Sequence, residues 1–481
     1  MADSPVPTVD FPAETSGERS TSAFGRAVVA DALDPIDQVG ARAARAETSW
    51  RSGYLPHFRR LIEAGIGAPG SAHASAAAGL ASVSQRMAWT GPDGDVPLTA
   101  LDWAGTAPGT LAVEGTGERV DELAIPHGGR ALRGAALSAQ LERWVEAGAM
   151  EPTVAESVRL VADNPDWLSL PGHTLVALGA SSEMGPTPTL LSWGATVAGI
   201  DLPDEKRWST LMGTASSSAG RLLVPVRGSG GAVTAGLDLL RELTDAAAWI
   251  EALDGDLVLG NYVYADGGTN LRLSAATDAL AGQVQGVRTA TLAFLATPTD
   301  VFAVPGDAVE HSVRAYESRG GLSRMSGRLL RGATGGRLLA RAYLPGSDPG
   351  VCDALVPQQG PNYALGKRLH RWRATAERAD GRRVSMNVAP PTRTQSVVKN
   401  KALAAAYAGA HRFGVEIFEP ETTRVLMAAL LVRDLMAERP AFDEPWQDEA
   451  YDAVHGGLWR TGFAPRSALG LAAVLGYGSA R

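Results

Sequence analysis

From residue 174 onward, short and almost continuously apolar runs alternate with stretches of helical spacing, and few architectures accommodate that rhythm. Thr174-Leu175-Val176-Ala177-Leu178, Thr196-Val197-Ala198-Gly199-Ile200, Arg221-Leu222-Leu223-Val224-Pro225-Val226 and Asp256-Leu257-Val258-Leu259-Gly260 read as four strands. A strand apolar on both faces belongs between two layers of helix, and intervening segments such as Gly236 to Leu253 have the spacing to supply them. The pattern predicts an α/β fold with a doubly wound parallel sheet.

The 481 residues leave room for two or three domains. Residues 1–25 are rich in Ser, Thr, Pro and Glu and read as a flexible tail. Residues 26–168 read as an additional, mainly helical N-terminal region. Within it, Trp50, Tyr54, Leu55, Phe58, Leu61 and Ile62 share one helical face, and Leu137 to Ala147 and Thr153 to Ala162 look like two helices. Residues 66–120 are Gly/Ala/Ser/Pro-rich and fit neither period. The sheet is expected within 169–440, and 441–481 reads as a tail that forms a substrate lid or an interface. His57 and His127 are expected on the surface or in loops.

Lys and Arg number 44 against 52 Asp and Glu, so the chain offers no basic footprint for nucleic acid or anionic lipid. Its best apolar run, Val425 to Val432, is closed by Arg433 and Asp434, well short of the roughly 18 residues of a membrane span. The N-terminus lacks the basic and apolar regions of a secretory signal. A single cysteine, Cys352, excludes an internal disulfide and a multi-cysteine metal site, and no metal site is predicted. The expectation is a cytoplasmic protein acting on a small molecule.

The first strand runs directly into Gly179-Ala180-Ser181-Ser182-Glu183-Met184-Gly185, and Pro186 to Trp193 then opens a helix. A glycine at the strand end permits a tight turn, and a second lets backbone approach a pyrophosphate at the helix N-terminus. The next strand ends in Asp201, sixteen residues past Gly185. A carboxylate there accepts hydrogen bonds from ribose hydroxyls and repels a 2′-phosphate, which favours NAD over NADP. In a chain this rich in Gly and Ala, the same turn also arises without a ligand.

Downstream, Tyr363 and Lys367 are spaced to lie one helical turn apart on one face. A phenol is a poor acid or base near neutrality unless a neighbouring ammonium favours its phenolate, so the pair offers a proton relay to a carbonyl or alcohol oxygen. The plain alternative is a core tyrosine beside a solvated lysine. Arg383 to Thr394 follows, a strand ending in Pro390-Pro391 with Thr392 and Thr394 beyond, and Glu419-Pro420-Glu421 then starts an apolar helix.

Taken together, these segments resemble the short-chain dehydrogenase/reductase family, as a divergent member with a long N-terminal extension. The resemblance covers about residues 172–437 and implies a Rossmann-type fold, an NAD cofactor and a carbonyl or alcohol substrate. Tyr363 would be the acid/base, Lys367 would lower its pKa and hold the nicotinamide ribose, and Thr392 and Thr394 would sit near the nicotinamide or pyrophosphate. Glu183 replaces the family's middle glycine, and Asn261 is the counterpart of its strand-four asparagine. Ser347, sixteen residues before Tyr363 and after the strand-like Arg337 to Leu344, is the candidate catalytic hydroxyl. The surplus length is assigned to about 286–336, where Ala290 to Pro305 reads as a buried strand pair. Arg314, Arg319, Arg324, Arg328 and Arg331 lie in that stretch, as an anion site or a solvated helix face.

The leading expectation is an NAD(P)(H)-dependent oxidoreductase interconverting a ketone and a secondary alcohol. A second is an epimerase, dehydratase or lyase using bound NAD without net redox change. A third is a catalytically silent nucleotide-binding assembly protein. The resemblance also suggests a homo-oligomer.

Overall fold

The computed structural model describes residues 6–92, 94–228, 233–319, 331–335 and 337–478. Its centre is a mostly parallel sheet of eight strands flanked by helices. In chain order these are β1 (Gly109–Glu114), β2 (His173–Leu178), β3 (Thr196–Ile200), β4 (Arg221–Arg227), β5 (Thr234–Ala235), β6 (Asp256–Asn261) and β7 (Ala290–Ala296), then β10 (Val384–Val388). Between the last two, β8 (Val301–Val304) and β9 (Gly350–Asp353) form a separate antiparallel pair.

Six strands run parallel in the spatial order β4-β3-β2-β6-β7-β10, so the sheet grows in opposite directions from β2 and β6. Two antiparallel strands, β1 and β5, pair with β4 at one edge. Alternate residues of each parallel strand enter different cores. Val176, Leu178, Leu257 and Leu259 join one cluster, whereas Leu175, Ala177 and Val258 join the other. Burial on both faces is why these strands are apolar without alternation.

Six of the helices are α1 (Thr187–Ser192), α2 (Gly267–Val287), α3 (Gly360–Ala379), α4 (Lys401–Ala410), α5 (Pro420–Met436) and α6 (Pro465–Gly476). Helices α2 and α3 pack side by side against one face of the sheet, and α5 with Pro152–Ala162 covers the other. The expected helix from Gly236 to Leu253 shortens to Leu243–Glu251.

The N-terminal region is built into this architecture. Residues 6–25 do not form a loose tail: Thr8–Asp10 pairs with Ala88–Thr90, Val9 is fully buried, and Phe11 meets Phe24 edge-on at 5.2 Å. The Arg272 guanidinium on α2 donates to the Val9 carbonyl at 2.6 Å. Helix Ser71–Arg86 crosses α3 at Gly79, where an added Cβ would lie 2.5 Å from the Trp372 ring. Strand β1 joins the central sheet itself.

The surplus length overlaps the expected 286–336 stretch but starts later and runs further along the chain. Ala290 to Ala296 is a central strand, and the inserted elements are β8, helix Gly306–Glu317 and β9, between β7 and α3. So Ala290 to Pro305 is no strand pair: β8 pairs with β9 instead. Among the described residues Arg337 to Leu344 forms no strand, Leu339 having φ of 52°, and its sole ladder contact is an isolated Arg341–Phe463 bridge. Within the basic stretch, Arg319 stacks on Tyr316 and Phe463 and Arg331 donates to the Tyr316 hydroxyl. Arg324 and Arg328 lie outside the described residues.

Candidate functional site

Tyr363 stands in the first turn of α3, half-buried, with its ring edge-on to Tyr264 at 6.3 Å. Lys367, one turn on, is also half-buried and donates from Nζ to the Leu295 carbonyl of β7 at 3.3 Å. Burial dominates both groups. It pushes the phenol up to about 12 and pulls the ammonium down to about 8. The ammonium is not among the groups that shift the phenol, so the expected lowering of Tyr363 by Lys367 is absent here. What favours the phenolate is the side chain of Thr297, which lies against the Tyr363 oxygen.

Thr297 is the residue that sequence reasoning missed. It follows β7 immediately and bonds the Thr299 hydroxyl at 2.9 Å, in the turn that carries the chain out to β8. Ser347 is not its equivalent. Its hydroxyl donates to the Leu344 carbonyl at 3.0 Å, in an exposed loop whose Asp348 packs on Gly306 at the start of the inserted helix. The signal that finds Thr297 is its position, a hydroxyl at the C-terminal end of the fifth parallel strand.

Asn261 ends β6, where its amide donates to Thr277 Oγ1 at 2.7 Å and lies 3.2 Å from His370 Nε2 on α3. Desolvation and the nearby Lys367 hold His370 well below its ordinary value, so the imidazole is neutral and accepts from the amide. Asn261 is therefore tied into the α2–α3 layer.

On the other side of the strand-order reversal, β2 leads into the glycine turn. Gly179 has φ of 81°, and a Cβ there would lie 3.0 Å from the Val263 amide, so backbone alone fits. The Asp201 carboxylate at the end of β3 accepts from Ser181 N at 2.8 Å, Ser181 Oγ at 2.7 Å and Leu202 N at 2.9 Å, and it pairs with Arg207. Four donors saturate a carboxylate. Asp201 thus builds the turn and has no lone pair left with which to select NAD by reading the ribose.

Whether a dinucleotide fits is decided at two ends. At the turn, Gly179 and Gly185 leave the backbone open, and Ser182 has no side-chain partner among the described residues. Pro186 and Pro188, flanking the first residue of α1, lack the N–H groups that would face a diphosphate. Glu183 Oε2 accepts from the Gln395 amide at 2.9 Å, across the gap between the turn and the segment after β10. Met184 packs into the second core. That carboxylate has to swing away before a diphosphate can enter. At the other end, Lys367 has three donors and a single bond among the described residues, which leaves two for ribose hydroxyls. The residues fit a dinucleotide once Glu183 is displaced.

Beyond β10, Pro390 accepts from the Thr392 hydroxyl at 2.8 Å, and Thr392 also meets Thr423 Oγ1 at 2.8 Å. Thr392 is 5% exposed and structural. Thr394 bonds the Ser396 hydroxyl at 3.0 Å in the open and remains accessible. The structure thus gathers Tyr363, Lys367 and Thr297 at one place and leaves Ser347, Asp201 and Thr392 in supporting roles.

Among the described residues, no group of three or more His, Cys, Asp or Glu could hold a metal, and no helix is long and apolar enough to cross a membrane. No protein-family model matches the chain, and no curated protein matches it.

Proposed function

We propose that this protein is a dinucleotide-dependent oxidoreductase on a Rossmann-type fold that interconverts a ketone and a secondary alcohol. The observation that carries the reading is the cluster of Tyr363, Lys367 and Thr297 where β7 and α3 meet. The strand order supports it: numbered along the chain, the six parallel strands run 3-2-1-4-5-6, and ligands of such sheets lie at the carboxyl ends where the order reverses.

A bound nicotinamide supplies the hydride. The protein supplies the proton and the positions. At neutral pH Tyr363 holds its proton, ready for a substrate carbonyl oxygen, so reduction is the direction that the resting state suits. Thr297 orients the phenol and disperses the charge left when the proton departs. Lys367, still mainly protonated at pH 7, holds the ribose hydroxyls and stands next in line to restore the proton. Asn261 keeps the end of β6 locked to α3. With Asp201 saturated and paired with Arg207, NAD and NADP both remain candidates.

Glu183 and the two prolines favour a second reading, a nucleotide-binding protein without turnover. The test is oxidation of NADH and NADPH with a panel of ketones by the wild type, Tyr363→Phe, Thr297→Ala and Thr297→Ser. The proposal expects wild-type turnover, a loss of about 10²–10⁴-fold in Tyr363→Phe with cofactor binding intact, and recovery in Thr297→Ser relative to Thr297→Ala. Tight NADH binding without turnover of any ketone supports the second reading, and absence of binding overturns both.

A further inference from the structure

Helices α4 and α6 lie against each other beside the inserted segment, and a cleft of about 530 Å³ opens between them. That volume falls in the range of small-molecule sites, roughly 300–1,000 Å³. Three guanidiniums line it: Arg59 from helix Leu55–Gly65, Arg337 from the inserted segment and Arg466 from the first turn of α6. Among the described residues the cleft's one lining carboxylate, Asp353 of β9, accepts from Arg466 at 2.7 Å. Arg59 is paired with Glu63 on its own helix at 2.7 Å. Arg337 has no carboxylate partner among the described residues. The N-terminus of α6, a helix of 12 residues without a side-chain cap, adds partial positive charge on the same side. Apart from Gln358 and Ser467, whose hydroxyl is bonded to the Ala340 amide and the Ala464 carbonyl, the remaining wall is apolar, with Leu403 and Ala406 of α4 and Leu469 of α6.

We propose that this cleft binds an organic anion carrying an apolar chain, with its carboxylate on the arginines and its chain between α4 and α6. Excess guanidinium over carboxylate selects a negative head group, since Arg forks pair bidentately with carboxylates. The apolar wall gives the chain somewhere to leave water. A free inorganic anion would use the first feature and gain nothing from the second. The binding itself does not depend on the oxidoreductase reading.

Isothermal titration of octanoate, octanol and inorganic phosphate into the full-length protein, without dinucleotide, tests the assignment. Octanoate should bind saturably at one site, with octanol and phosphate each at least about tenfold weaker. Arg337→Glu, at an exposed position, should weaken octanoate by at least about tenfold. Ala406→Trp, which fills the apolar wall, should remove binding of octanoate while circular dichroism stays native. No saturable octanoate binding overturns the proposal. So does octanol binding as tightly as octanoate with Arg337→Glu unchanged, and so does phosphate binding as tightly as octanoate, which marks an anion patch only. Because no cofactor is present, none of these outcomes bears on turnover.

Discussion

Burial sets the chemistry of Lys367 and Tyr363 before any ligand arrives. Lys367 has its pKa lowered to about 8 on folding, whereas an unfolded lysine titrates near 10.4. The folded chain therefore binds this proton less readily than the unfolded chain. The penalty is present in full below about pH 8 and is relieved as pH rises towards 10.4, where both states are losing the proton. Lys367→Met should accordingly be more stable than the wild type at pH 7, by up to about 3 kcal/mol, with the gain shrinking towards pH 10. Urea unfolding at the two pH values measures this, and a gain independent of pH contradicts the account. On the proposed function, the same value predicts that ketone reduction declines as pH rises through about 8, where Lys367 would lose the charge assigned to holding the ribose. A flat rate profile to pH 9 would remove Lys367 from the mechanism.

At the scale of elements, the glycine turn and its surroundings hold most of the tension in the site. Glu183 spans with its own carboxylate the gap where the proposed diphosphate would lie, through a bond to the Gln395 amide. Glu183→Gly should therefore tighten NADH several-fold, measured by titration, and an unchanged affinity would mean that the turn does not face the cofactor. Gly179→Ala, strained by a φ of 81° and by the Val263 amide, should destabilise the fold by about 1–3 kcal/mol. The strands around this turn were legible because burial on both faces writes itself as unbroken apolar runs such as Thr196 to Ile200. The helix carrying Tyr363 was legible from its spacing. Thr297 was not, because Ala290 to Ala296 and Val301 to Val304 read as neighbours, whereas the partner of β8 is β9, beyond the inserted helix. Arg337 to Leu344 has strand-forming residues, yet tertiary context decides: Tyr343 is drawn into the core, where its hydroxyl donates to the Trp459 carbonyl at 2.8 Å. Polar composition around Val9 and Phe11 likewise concealed two apolar anchors.

Across the whole molecule, the insertion and the C-terminal segment are fastened to the site by buried charge. Asp300, 1% exposed, accepts from Arg368 at 2.8 Å and Arg371 at 2.7 Å, and Arg371 forks onto Glu449 of helix Pro445–Ala450. This network joins the turn that carries Thr297 to the helix that carries Tyr363. Asp300→Ala leaves two buried guanidiniums short of a partner and should destabilise the protein by about 3–5 kcal/mol. A urea midpoint shift worth less than about 1 kcal/mol would mean that water replaces the carboxylate and that the network does not lock the site.

The proposed function requires a dinucleotide between the glycine turn and Lys367. Titration of NADH and NADPH into the wild type, Tyr363→Phe and Glu183→Gly, followed by energy transfer from tryptophan to the nicotinamide, tests it most directly. Saturable binding to the wild type, the same affinity in Tyr363→Phe and a tighter complex in Glu183→Gly are the expected results. Failure of both cofactors to bind all three proteins would contradict that function.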